Sequence, residues 1–204
     1  MNLQFIGDRG VKLILLDFGG TLFNLVPMHI SCFAAAGKEV LGRSLTVQEM
    51  EKVRYWYGRG RSTWSVLEAT FDGRLCSEAQ SAIGLLKRDM IDRHISGSTL
   101  SDTSLAFLTE CATRASTAVV SIGKQKPILD LLVRSGAPKI KVFGREGNED
   151  HASKIDLIWK AMDFYHRRPF ETLFIGDTKV DSEAATETGV LYLDVDDLGL
   201  GFHG

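Results

Sequence analysis

The feature that most constrains this chain is a set of short, nearly unbroken apolar runs. The first is Val11-Lys12-Leu13-Ile14-Leu15-Leu16, which stops at Asp17. Four more follow later, at Thr117–Ser121, Ile140–Gly144, Thr172–Gly176 and Val190–Leu193. Apolarity that runs on rather than alternating suits strands buried on both faces of a parallel sheet. Between the later runs lie stretches of helical period. Ile128, Leu131 and Leu132 mark one over 127–135, and Ile155, Ile158, Trp159 and Met162 mark another over 154–166. A short Ala/Glu-rich stretch, 180–188, ends at Gly189, a natural helix cap. Strands alternating with helices predict a Rossmann-like parallel α/β sheet of five or more strands.

Residues from about 24 to 99 read differently. Their periodicity is helical, with no convincing strand, and the predicted helices are 28–41, 46–57, 63–69 and 77–94. Thr46 with Glu49 has capping-box spacing, and Ser77 is an expected N-cap. The expected organisation is a core of 1–23 and 100–204, with an all-helical cap of 24–99 inserted after the first strand. A further helix over 101–113 leads back into the sheet.

Composition excludes several classes. The 204 residues carry 24 Lys+Arg against 26 Asp+Glu, so there is no basic excess for nucleic acid. No apolar run approaches the roughly 18 residues that span a bilayer, and MNLQFIGDRG has no secretory pattern. The cysteines, Cys32, Cys76 and Cys111, are odd in number and form no CxxC pair. A reducing, cytoplasmic location is expected. So are neither nucleic-acid nor membrane partners, and a monomer or homodimer.

Ligands of open parallel sheets bind beyond the carboxyl ends of the strands. Beyond the first run comes Asp17-Phe18-Gly19-Gly20-Thr21-Leu22; at the end of the second stands Ser121, then Ile122-Gly123-Lys124. Lys154 opens a helix before the fourth, and Gly176-Asp177-Thr178-Lys179-Val180-Asp181 closes it. Three carboxylates, a hydroxyl and an ammonium are thus predicted at one sheet edge. Crowded carboxylates call for a cation, and an all-oxygen set suits Mg²⁺. A hydroxyl, a lysine and glycine-rich backbone suit a phosphoryl group.

This set resembles the haloacid dehalogenase superfamily of phosphohydrolases. Asp17, Gly20 and Thr21 match its first motif, Ser121 its second, Lys154 its third with Lys124 competing, and Gly176, Asp177 and Asp181 its fourth. The helical insert lies where phosphoglycolate-phosphatase-like members carry a cap. The resemblance implies a Mg²⁺-dependent phosphatase of a small phosphorylated metabolite. Asp17 would take the phosphoryl group as an aspartyl-phosphate, and Ser121 and Lys154 would hold its oxygens. Gly20, Thr21, Gly123 and Lys124 would line the substrate. The ion would lie between Asp17, the Gly19 carbonyl and Asp177, with Asp181 as ligand or behind them.

One position departs from the family. Gly19 stands where its phosphatases carry a second aspartate, which protonates the leaving group and then activates water. Two alternatives follow: C–P cleavage of the phosphonoacetaldehyde-hydrolase type, which uses a cap lysine, or an impaired member that binds a phosphorylated ligand or a protein. Lys38, Lys52 and Lys87 lie in the cap, and the sequence marks none of them as desolvated. Tyr57-Gly58-Arg59-Gly60-Arg61-Ser62-Thr63-Trp64 reads either as a specificity loop, with Arg59 and Arg61 meeting an anion, or as a solvated turn. His29, His94, His151 and His203 read as structural or surface residues, and Asp194, Asp196 and Asp197 as a solvated face.

Overall fold

The computed structural model describes residues 10–59, 61–147 and 152–200. It divides into two compact units, one built from residues up to Asn24 and from Ile95 onward, the other Leu25–His94.

The first unit is built on five parallel strands: β1 Leu13–Leu16, β2 Ser116–Lys124, β3 Lys141–Arg145, β4 Thr172–Gly176 and β5 Leu191–Asp194. Their order is β3-β2-β1-β4-β5. The chain steps outward from β1 to β3, then crosses to β4 on the other side of β1. The crevice between β1 and β4 is therefore the switch point, where open α/β sheets bind ligands. Leu16 pairs with Ile175 at that point, and Asp17 N–H donates to the Ile175 carbonyl (2.8 Å).

Four helices surround the sheet: α5 Asp102–Arg114, α6 Gln125–Arg134, α7 Lys154–Tyr165 and α8 Lys179–Thr188. Leu13, Leu15, Ala118, Val120, Phe143 and Phe174 form one apolar cluster with Leu157, Ile158, Ala161 and Met162 of α7 and Ala184 and Ala185 of α8. Pleating sends Ile14, Leu16 and Val119 to the opposite face, and they are equally buried. That two-sided burial explains why the strand runs are continuous rather than alternating.

The second strand is longer than the sequence suggests. It continues past Ser121 to Lys124, which pairs with Arg145 across a register shift that begins after Val120. Gly144 makes this possible, because a Cβ there would lie 2.9 Å from the Gly123 carbonyl oxygen and 3.1 Å from the Gln125 backbone. A bulge of this kind depends on a neighbouring strand, so β2 alone does not reveal it.

The second unit is all-helical: α1 Val26–Leu41, α2 Val47–Tyr57, α3 Thr63–Phe71 and most of α4, Ser77–Gly97. Phe33, Ala36, Val53, Tyr57, Val66, Leu67, Phe71 and Ile83 form its core. The Thr46–Glu49 capping box is present, and Arg43 grips Glu49 through both terminal guanidinium nitrogens. Ser77 is the first residue of α4 rather than its cap, because the helix starts one residue earlier than an N-cap at Ser77 implies. Gly189 ends α8 in the left-handed conformation (φ +71°). Asp194 caps the short turn that follows β5, accepting from Asp196 N–H (3.0 Å), while Asp196 and Asp197 are exposed.

Candidate active site

The loop after β1 turns tightly. Leu22 and Phe23 N–H both donate to the Phe18 carbonyl (3.0 and 2.9 Å), and Gly20 N–H donates to Phe23 (2.9 Å). This fold of the loop turns Thr21 inward. Its buried hydroxyl faces Asp177 Oδ1 at 3.4 Å, across from β4. Gly20 adopts φ +93°, and a Cβ there would fall 2.0 Å from Asp177 Oδ2. Gly176 is constrained likewise, since a Cβ there would lie 2.6 Å from Asp181 Cβ. Both glycines are thus required by carboxylates that crowd against backbone.

Asp17, Asp177 and Asp181 each offer an oxygen such that these atoms lie within 4.8 Å of one another. Lys154, the first residue of α7, reaches this group. Its Nζ donates to Asp17 Oδ1 and lies 3.0 Å from Asp181 Oδ1. Ser153 caps α7 through Asp156 N–H (3.2 Å), which fixes where the helix begins and so where Lys154 projects. Burial pushes the Asp17 carboxyl up to about 6, with Lys154 pulling it down and Asp181 adding to the rise. Burial also works against charge on Lys154, yet Asp17 and Asp181 outweigh it and hold the amine above the ordinary lysine range.

Three carboxylates gather here with the Lys154 ammonium, so negative charge predominates among the described residues of this largely buried place. A divalent cation with oxygen preference would balance that charge. The three oxygen sets are not equally placed to hold it. Asp181 Oδ2 already accepts from Thr178 N–H (3.1 Å) and Thr178 Oγ1 (2.6 Å), which makes it the capping partner of α8, and its Oδ1 pairs with Lys154.

Ser121 is buried at the level just past Asp17, and its Oγ accepts from Gly123 N–H (3.1 Å). Lys124 is half-buried at the end of β2. The ion pairs with the carboxylates belong to Lys154, which separates the two lysines that the sequence left in competition. Arg59 and Arg61 lie in the helical unit, exposed. Arg59 lies 3.7 Å over the Tyr55 ring and donates to the Tyr55 carbonyl (3.5 Å), and Arg61 lies 5.8 Å from the Trp56 centroid. Gly60, His151 and His203 lie outside the described residues.

The family model for haloacid dehalogenase-like hydrolases matches residues 14–195, from within β1 to just beyond β5. The chain belongs to the haloacid dehalogenase-like hydrolases. A haloacid dehalogenase-like hydrolase from Streptococcus pneumoniae has the same fold, with 19% identity and TM-score 0.68 over 91% of this chain and 84% of that one. So does a variant of CbbY from Rhodobacter sphaeroides in complex with xylulose-(1,5)bisphosphate, with 17% identity and TM-score 0.65 over 90% and 85%. A predicted phosphoglycolate phosphatase from Haemophilus somnus has 18% identity and TM-score 0.68 over 90% and 84%. No curated protein sequence matches significantly. Among the described residues no helix is long and apolar enough to cross a membrane.

Three features of this hydrolase were not singled out in the sequence. Thr178 secures Asp181, and its spacing, Thr-x-x-Asp, is a readable capping signal. Tyr192 on β5 donates to the Gly176 carbonyl (3.1 Å) and so steadies the strand end that carries Asp177; only strand pairing places it there. The third is Lys87. Lys38 is exposed and Lys52 pairs with Asp72 at 2.7 Å, but Lys87 is only 3% exposed. The sequence could not mark it as desolvated, because its partners are His29 and Thr63, 58 and 24 positions away. His29 is correspondingly part of a polar cluster and not simply a packing residue.

Proposed function

We propose that this hydrolase is a Mg²⁺-dependent phosphatase of small phosphorylated metabolites, working through a phosphoryl group carried on Asp17. The observation that carries the reading is the convergence of Asp17, Asp177 and Asp181 with Lys154 at the switch point of the sheet. The neighbours support the substrate class, since CbbY structures hold phosphate or xylulose-(1,5)bisphosphate. Asp17 and Asp177, with the Gly19 carbonyl, would hold Mg²⁺, and Asp181 would orient the set from behind. The bound ion supplies charge neutralisation of the phosphoryl oxygens and of the carboxylates around them.

One Asp17 carboxylate oxygen attacks phosphorus, the P–O bond to the leaving group breaks, and an aspartyl-phosphate forms. Lys154 keeps Asp17 ionised and presents its ammonium to the phosphoryl oxygens. The Ser121 hydroxyl, with backbone N–H groups beyond it, holds another oxygen. Water then attacks the phosphorus of the intermediate and restores the Asp17 carboxylate.

Gly19 supplies no proton to the departing oxygen. General acid–base help is worth roughly 10²–10⁴-fold. The enzyme is therefore selective for leaving groups that depart as stable anions, such as acyl phosphates, aryl phosphates and anhydrides, or takes its proton from the cap or substrate. A panel of phosphorylated metabolites with and without Mg²⁺, with Asp17→Asn as control, tests the main reading. Turnover that needs neither Mg²⁺ nor Asp17 overturns it. Gly19→Asp is expected to raise the rate on alkyl phosphates relative to p-nitrophenyl phosphate, and an unchanged ratio removes the leaving-group argument. Turnover of a phosphonate aldehyde, with borohydride trapping on a lysine, would indicate C–P cleavage instead.

A further inference from the structure

Asp177 follows a residue that restrains the chain very little. Gly176 closes β4 and can carry no side chain, because a Cβ there would lie 2.6 Å from Asp181 Cβ. Glycine limits its own backbone less than any other residue. The pairing of β4 with β1 has already ended at Ile175, and Gly176 is level with Asp194 on β5. The peptide that leads from Gly176 into Asp177 therefore depends on the β5 side for its support. The load on it is considerable. Asp17, Asp177 and Asp181 offer oxygens within 4.8 Å of one another, and like charges so close push one another apart.

Tyr192 supplies that support. It is level with Phe174 on β4, and its half-buried ring packs against the apolar cluster to which Phe174 belongs. From there its hydroxyl reaches further along the strand and donates to the Gly176 carbonyl (3.1 Å). A peptide group is planar, so holding that carbonyl also fixes the N–H and Cα of Asp177. Thr21 restrains the same residue at its other end, through the carboxylate oxygen (3.4 Å). Burial, and after it the charges of Asp194, Asp181, Asp177 and Asp17, push the Tyr192 hydroxyl above the ordinary tyrosine range, so it stays a donor. Phenylalanine would fill the same place in the cluster, so packing does not call for the hydroxyl.

We propose that Tyr192 is a positioning residue for the divalent cation: through the Gly176 carbonyl it sets the direction in which Asp177 offers its oxygen, and so sets how tightly the protein holds Mg²⁺. The role rests on Asp177 being a ligand of the ion, as proposed above. Tyr192 acts through Asp177 and takes no part in the phosphoryl transfer itself. A second tyrosine provides the comparison. The Tyr165 ring packs against the same apolar cluster, and its hydroxyl donates to the Thr117 carbonyl (3.3 Å). Thr117 is level with Ile14, toward the end of β1 away from Asp17.

The test is Mn²⁺ binding to the full chain without substrate, read from the loss of the free-ion EPR signal, with Mg²⁺ then added to displace it. Tyr192→Phe is expected to bind both ions about tenfold more weakly than the parent, the lower end of what is lost when a group that orients a metal ligand is removed. Tyr165→Phe removes the same hydroxyl away from the site and is expected to bind both ions like the parent. Thermal melting in chelator should fall by a similar small amount in the two variants, each having lost one hydrogen bond, so that a difference in ion affinity is not a difference in stability. Equal affinity in Tyr192→Phe and the parent overturns the proposal. So does an equal weakening in both variants, which marks a general loosening of the core. Asp177→Asn tests the underlying assignment separately. If it binds the ions like the parent, Asp177 is not a ligand and both readings fall. If it loses them while Tyr192→Phe keeps them, only the positioning role falls.

Discussion

Lys87→Met should make the helical unit more stable at neutral pH, and the gain should vanish in mild alkali. The unfolded amine titrates near 10.5 and the folded one near 7. Between those values the unfolded chain binds more protons than the folded chain, so stability rises with pH. At pH 7 the folded amine is half protonated, and its cost is about 4 kcal/mol at 1.36 kcal/mol per pK unit. By pH 9 the folded amine is neutral and the cost is about 2 kcal/mol. Methionine removes that cost and gives up two hydrogen bonds, to Thr63 and His29, worth roughly 1 kcal/mol each. The net gain is therefore about 2 kcal/mol at pH 7 and close to zero at pH 9. His29, pushed down to about 3 by burial and then by Lys87, is nearly neutral in both states across this window. Cys32, which burial raises above its ordinary 9.0, sets the upper limit of the useful range. Urea unfolding at pH 7, 8 and 9, followed by fluorescence of Trp56 and Trp64 in the helical unit, measures the difference. A variant less stable than its parent at pH 7, or a difference that does not change with pH, would refute a neutralised buried amine.

Other changes probe the candidate active site and the frame around it. Gly20→Ala would place a Cβ 2.0 Å from Asp177 Oδ2, so the carboxylate must move by an ångström or more; activity should fall about a hundredfold. Gly73→Ala is the control, since Gly73 has a similar positive φ (+69°) but open space around it, and its turnover should match the parent. Lys154→Met leaves Asp17 and Asp181 buried without their cation, a loss of roughly 3–5 kcal/mol at pH 7. In chelator, thermal melting should show that loss shrinking as pH falls toward 5, because Asp17 is then protonated and needs no partner; a loss constant with pH contradicts the pairing. Thr46→Ala removes a reciprocal cap of α2 and should lower urea stability of the helical unit by about 1 kcal/mol, with no effect on Mg²⁺ binding.

Much of the fold could be read from local pattern. The run Leu13–Leu16 is apolar at every position because both faces of β1 are covered, so it announces a central strand without any structure. Thr46, Ser153 and Thr178 each cap a helix through the residue three places on, and such spacing is visible in a single sequence. The motif residues were legible for a related reason. Asp17, Lys154 and Asp177 each stand at or just past an element boundary, and Ser121 closes the apolar run within β2; the apolar pattern fixes those positions. The extension of β2 to Lys124 was not legible, since it exists only because Gly144 on the next strand leaves room for a bulge.

The sequence by itself determined the class of fold, the helical insertion after β1, the glycines at the strand ends and the set of side chains that could meet there. Those are properties of neighbours in the chain: period, capping and boundary. Only the tertiary structure decided which groups touch. It chose Lys154 over Lys124 as the partner of Asp17, turned Asp181 into a capping residue as well as a member of the acidic group, and gave Gly20 its reason by packing Asp177 against it. It also buried Lys87 beside His29 and Thr63, with no carboxylate paired to it among the described residues. Burial and charge pairing are sums over everything within a few ångströms, and those neighbours come from helices and strands distant in sequence. For that reason the most perturbed amine of the helical unit, indistinguishable from Lys38 and Lys52 in the sequence, became visible only once the helices were packed.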